Sequence, residues 1–179
     1  MTTSIQTLKD GRVLEICEAQ PEDAERVLAY VESVSNETSF LTFGPGELGM
    51  TRDQEAAFFQ ACQESPNEIY LLGRLDGTLV GSANIGASGR SRLRHRGELA
   101  MSVSRAFWRL GIGGALLDHL LSWARTNPIL KKLDLRVRVD HAAAIALYRG
   151  RGFTEEGALR NQFVVDGEFF DLLAMGIDV

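Results

Sequence analysis

Between Met101 and Gly114 the chain reads Met-Ser-Val-Ser-Arg-Ala-Phe-Trp-Arg-Leu-Gly-Ile-Gly-Gly, an apolar strand-like start that passes through glycines into a helical stripe. Amides in the first turn of a helix have no partner within it, and the helix dipole adds positive potential there, so this junction suits a pyrophosphate. Three glycines in the four positions from Gly111 to Gly114 let the backbone come close to such a ligand. Two well-known phosphate patterns fail on these residues. A dinucleotide fingerprint beginning at Gly111 needs glycine where Leu116 stands, and a P-loop needs lysine where Ala115 follows Gly114. What remains is another pyrophosphate-bearing carrier, or a tight turn with no ligand.

The elements that must position this turn are legible from spacing. Arg12 to Cys17 reads as a strand, and Pro21 opens a helix whose apolar face is Ala24, Val27, Leu28 and Val31. Asn36 to Met50, with Gly44-Pro45-Gly46 and the apolar Phe40, Leu41 and Phe43, is expected to be a packed loop beside a binding site. Thr51 and Gln54 form a capping box for a second helix, which runs to Ser65-Pro66. Two strands, Glu68 to Leu75 and Leu79 to Gly86, join at the hairpin signal Asp76-Gly77, and Glu98 to Val103 adds a third. A buried helix from Gly111 to Asn127-Pro128, a strand from Leu133 to Val139, a helix from Ala142 to Arg149 and a strand pair around Asp166-Gly167 complete the order βααβββαβαββ. That order predicts an α/β fold with a mixed, mostly antiparallel central sheet and helices on both faces, as one domain over residues 12–179 behind an N-terminal extension of residues 1–11.

Composition bounds the rest. The chain has 179 residues, 45% of them hydrophobic and 24% charged, which fits one globular core and excludes a disordered or membrane-spanning chain. A net charge of −5 leaves no overall positive field to attract nucleic acid, so neither a nucleic-acid nor a membrane partner is expected. Cys17 and Cys62 stand far apart with no metal-ligand spacing, which reads as reduced, buried thiols and no metal site. Met1-Thr2-Thr3-Ser4-Ile5 has neither a basic nor an apolar leader segment, so a cytoplasmic location is expected.

The glycine turn resembles the Gln/Arg-x-x-Gly-x-Gly/Ala hallmark of the GNAT family of acyl-CoA-dependent N-acyltransferases, matched here by Trp108-Arg109-Leu110-Gly111-Ile112-Gly113. Trp108 departs from the expected Gln or Arg, with Arg109 beside it to supply charge. A second family signature, Asn-x-x-Ala-Ile-x-Leu-Tyr-x-x-x-Gly-Phe, is matched from His141 to Phe153 at all but its first position. The resemblance implies an N-acetyltransferase that moves an acetyl group from acetyl-CoA, its co-substrate, to a primary amine in a ternary complex. The acceptor would be a protein N-terminus or a small amine. A non-catalytic acyl-CoA-binding module is the alternative.

The resemblance also assigns roles. The cofactor would lie against Met101, Ser102, Val103, Trp108, Arg109, Leu110, Gly111, Ile112, Gly113 and Gly114, with His141, Ala144 and Tyr148 on the other side. His141 stands where the family carries the Asn that bonds the cofactor arm. Tyr148 matches the general acid that protonates the leaving thiolate, and Glu98 is the candidate base, against the plainer readings of a core aromatic and a solvated strand-end carboxylate. Phe40, Phe43, Phe58 and Phe59 are candidates to wall the acceptor site. Family members often pair as homodimers, with the last strands as a contact. Two features are read as structural: the run Arg90, Arg92, Arg94, His95 and Arg96 as a solvated loop, and His119 with Trp123 as helix packing.

Overall fold

The computed structural model describes residues 3–179 as one eight-stranded sheet flanked by α-helices. Met1 and Thr2, the first two positions of the stretch read as free of a leader, lie outside the described residues. The chain runs β1 (Ser4–Thr7), β2 (Val13–Glu18), α1 (Ala24–Glu37), α2 (Arg52–Glu64), β3 (Ile69–Leu75) and β4 (Thr78–Ala87). It continues through β5 (Arg96–Val103), α3 (Ile112–Thr126), β6 (Lys132–Arg138), α4 (Ala142–Arg149), β7 (Thr154–Val165) and β8 (Glu168–Asp178).

From β2 onward this is the order that periodicity predicts, and β1 is the difference. Residues 4–7, expected in a plain extension, pair antiparallel with Val13 to Ile16. Ile5 is the one large apolar residue of β1 and is 72% exposed, so a backbone ladder holds the strand and no side-chain alternation reveals it.

Local chemistry sets the other boundaries. Thr51 Oγ1 accepts from the Gln54 amide while Gln54 Oε1 accepts from the Thr51 amide at 2.9 Å, closing the capping box that starts α2. Asp76 and Gly77 take φ of 48° and 77°, and Asp166 and Gly167 take 51° and 81°, as two-residue hairpin turns require. Pro21 begins a short 3₁₀ turn, and α1 follows from Ala24.

The strand order is β1-β2-β3-β4-β5-β6-β8-β7, antiparallel throughout except where β5 and β6, joined by the α3 crossover, run parallel. Leu71 and Leu72 of β3 enter different clusters, which shows the sheet buried on both sides. Ile112, Leu116, Leu117 and Leu120 of α3 pack with Leu14, Leu71, Ile85 and Leu133 on one face. Val27 and Phe59, from α1 and α2, pack with Leu72 on the other. Each such fully buried side chain contributes about 1.5–3 kcal/mol, and these two layers hold β3 and β4 between them.

Candidate active site

Strands β5 and β6 are hydrogen-bonded neighbours over three positions only: Arg96 with Lys132, Gly97 with Leu133, and Glu98 with Asp134. Beyond these, Leu99 to Val103 pair with β4 alone, and Leu135 to Arg138 pair with β8 alone. The sheet therefore opens as a wedge whose apex is the Glu98–Asp134 pair. Each wall turns a row of strand-edge N–H and C=O groups into the gap, an arrangement that accepts an extended ligand as an added strand. Met101, Ser102 and Val103 line the β5 wall.

The rim of that wall is the glycine turn. The Ala115 amide donates to Gly111 O at 2.9 Å, whereas the Ile112, Gly113 and Gly114 amides precede the first intrahelical bond and no side chain caps them. Gly111 takes φ 94° and Arg109 φ 65°, two left-handed residues that bend the chain from strand to helix. A Cβ at Gly113 would sit 3.3 Å from Met101 Cε and 3.6 Å from Leu147 Cδ2, so glycine there lets β5, α3 and α4 meet. Trp108 is 42% exposed, and its indole N–H donates to Val103 O at 2.7 Å, which ties the turn to the strand end.

One cation here escaped the sequence reading. A Cβ at Gly114 would overlap the guanidinium of Arg151, which is held by Asp118 through Nε to Oδ1 at 2.7 Å and Nη2 to Oδ2 at 3.0 Å. The only signal was an arginine between Gly150 and Gly152, three residues after Tyr148.

The two candidate proton-transfer groups flank the wedge from opposite faces. Gly97 and Leu99 point to the α3 side, so Glu98, Ala100 and Ser102 point to the α1 side, where Ser102 Oγ lies 3.0 Å from Tyr30 Oη. Glu98 is exposed at the apex. Beside it, Asp134 pairs with Arg96 at 2.6 Å, and Lys132 Nζ lies 3.0 Å from Asp134 Oδ1, close enough for an ion pair although not aligned as a hydrogen bond. Tyr148 belongs to the α3-side core, 8% exposed, with its ring edge-on to Phe153 at 5.7 Å. Burial pushes its phenol up to about 12, so it holds its proton at neutral pH.

His141 is the N-cap of α4, and its ring stacks on Phe40 at 3.9 Å with 16° between planes. Burial lowers its pKa, which favours a neutral imidazole. Ala144 lies one turn further on, half-buried. Of the four phenylalanines considered for an acceptor wall, Phe40 reaches this junction, whereas Phe59 is a fully buried core residue packed with Phe58 and Tyr70.

The remaining candidates lie away from the wedge or lack reactivity. Arg90, Arg92, Arg94 and His95 are exposed in the turn before β5. His119 is half-buried, its pKa lowered by that burial. Burial raises both thiols, Cys62 to about 11 and Cys17 in the same direction, which leaves them weak nucleophiles. Among the described residues no group of three His, Cys, Asp or Glu side chains could hold a metal, and no helix is long and apolar enough to cross a membrane.

Comparison with known proteins places this geometry. Residues 12–153 match the Acetyltransferase (GNAT) family. An N-alpha-acetyltransferase, RimI, of Mycobacterium tuberculosis is 39% identical over 103 residues, a match covering 58% of this chain and 63% of that relative's length. The Escherichia coli L-amino acid N-acetyltransferase AaaT is 28% identical over 116 residues, covering 63% of this chain and 69% of that one. The crystal structure of a GNAT-family acetyltransferase from Streptococcus pneumoniae superimposes with a TM-score of 0.91 at 34% identity, covering 93% of this chain and 99% of that one. A family match over most of its length, laid on a sheet that opens between β5 and β6, makes this chain a member of the GNAT acetyltransferase family.

Proposed function

We propose that this chain transfers an acetyl group from acetyl-CoA to an α-amine by direct attack in a ternary complex. The wedge carries the reading. An edge of five residues, about 17 Å long, leads from three uncapped amides at its rim to Glu98 at its apex, with Tyr148 on the far face.

Acetyl-CoA, when bound, supplies a thioester acyl group. The amides of Ile112, Gly113 and Gly114 would hold its pyrophosphate, with the Arg109 and Arg151 charges nearby and Trp108, Leu110 and Gly111 shaping the turn. The β5 edge from Met101 to Val103 would hold the extended arm, and one of its amides would stabilise charge on the carbonyl oxygen. His141 and Ala144 would flank the arm from the α4 side.

Attack forms a C–N bond and breaks the C–S bond. Glu98 would take the ammonium proton through water before attack, the attacking nitrogen would lose its second proton to water as the C–S bond breaks, and Tyr148 would give its proton to the departing sulfur and recover one from solvent. An α-amine, with a pKa of about 8, asks less of an exposed base than a lysine amine at about 10.4. The M. tuberculosis relative is named an N-alpha-acetyltransferase and the E. coli one an L-amino acid N-acetyltransferase, which supports an α-amine acceptor here, on a protein N-terminus or a free amino acid in the cytoplasm. The raised thiols support direct transfer over a covalent acyl-enzyme. The exposed Leu159, Val164 and Phe169 of the β7–β8 hairpin support a homodimer contact there, checked by sedimentation.

Calorimetric titration with acetyl-CoA, followed by thiol release over a panel of N-terminal peptides, amino acids and polyamines, tests the proposal. Binding with α-amine-dependent release is expected. Binding without release would point to an acyl-CoA-binding module, and no binding would sink both.

A further inference from the structure

Arg138 ends β6 at the rim of the wedge, and only 6% of it is exposed. Leu133, Leu135 and Val137 enter the α3-side core, so by alternation Arg138 points to the α1 side, the same side as Glu98. Each of its three guanidinium nitrogens donates. Nε and Nη2 donate to the two Asp140 carboxylate oxygens at 2.9 and 2.5 Å, and Nη1 donates to Ser39 O at 3.0 Å with Ser39 Oγ at 3.4 Å. Its carbon lies 3.8 Å from the Phe170 ring centroid, 4.7 Å from that of Phe40 and 5.5 Å from that of Phe163.

Three segments far apart in sequence thus meet at one cation: the loop after α1, the β7–β8 hairpin, and the β6–α4 junction. Phe40 is shared, because its ring also stacks on His141. None of the phosphate or proton chemistry above uses Arg138. The Asp140 fork neutralises it, and the aromatic faces replace the water it has lost.

We infer that Arg138 is a positioning residue that holds Ser39 and Phe40 against the start of α4 and so fixes one wall of the acceptor mouth. What that mouth admits rests on the acetyl-transfer reading; the latch itself does not. A wall fixed in advance spares the acceptor the cost of ordering residues 38–51 on binding, so the latch acts on acceptor affinity. Lysine keeps the charge but lacks the planar, forked group that stacks and bonds at once.

The test is Arg138→Lys in the full chain, with Phe40→Leu as a second variant that leaves the buried ion pair intact. Amide hydrogen exchange over residues 38–51 is expected to quicken at least tenfold in both, with α3 unchanged. Acceptor KM is expected to rise at least tenfold in both, while in Arg138→Lys kcat stays within threefold and the acetyl-CoA Kd within twofold. Unchanged exchange in 38–51, equal quickening in α3, or a fall in kcat at constant KM would each overturn the inference. If the unaltered protein fails to bind acetyl-CoA, the transferase reading falls, and the exchange measurement still decides the latch.

Discussion

Replacing Tyr148 with Phe separates the chemistry of the wedge from its architecture. The ring of Tyr148 fills the α3-side core and packs on Phe153, and Phe keeps both contacts. The hydroxyl makes no hydrogen bond to the described residues, and desolvation is the one cause of its raised pKa. Its removal should therefore change folding stability by no more than about 1 kcal/mol.

Turnover should respond far more. General acids contribute about 10²–10⁴ in rate, or about 2.7–5.4 kcal/mol. A phenol at about 12 facing a thiolate that in water resembles cysteine, at about 8.5, is a reluctant donor until the sulfur is itself desolvated. The effect should sit at the low end, about a hundredfold in kcat. The assay is steady-state thiol release at saturating acetyl-CoA, with Kd from calorimetry and Tm as controls. A kcat within threefold of the unaltered enzyme, or a Kd weakened as much as kcat, would refute the assignment and return Tyr148 to the role of a core aromatic.

Gly113→Trp should weaken acetyl-CoA binding at least a hundredfold, since its Cβ already stands 3.3 Å from Met101 Cε; calorimetry showing equal affinity would overturn the pyrophosphate assignment. Glu98→Gln should lower kcat/KM at least tenfold at pH 7 and leave the acetyl-CoA Kd unchanged, and an unaltered pH profile would leave the base unassigned. Stability should fall as pH rises from about 10 to about 12. Burial raises the folded-state pKa of Tyr70 and Tyr148 to about 12 and that of Tyr30 in the same direction, so the unfolded chain ionises first and the stability present below pH 10 is lost above it. Tyr70 and Tyr148 together account for about 5 kcal/mol of that loss; a urea midpoint equal at pH 8 and about pH 11.5 would contradict this.

The sequence by itself determined whatever depends on near neighbours in the chain. Asp76-Gly77 and Asp166-Gly167 carry their turns in their own φ preferences, Thr51 and Gln54 cap α2 across three residues, and Gly111, Gly113 and Gly114 leave the α3 amides open. The element order follows from such short-range chemistry, and with it the fold class, while the two motifs around the turn and around Tyr148 carry the family resemblance.

Tertiary structure alone decided what depends on which strand lies beside which. Alternation tells Glu98 and Arg138 that they face away from Leu99 and Val137, but not that β5 and β6 part after Glu98 and Asp134. Asp134, Arg136 and Arg138 look alike in a period-2 pattern, and only the arrival of Ser39, Phe40, Phe163 and Phe170 buries the last of them. The same holds for Arg151 over Gly114, for Phe40 as against Phe59, and for β1, whose pairing leaves no mark on its side chains. Periodicity fixes a residue's face because it is a property of one backbone, whereas a neighbour across the sheet is chosen by the summed packing of the whole core.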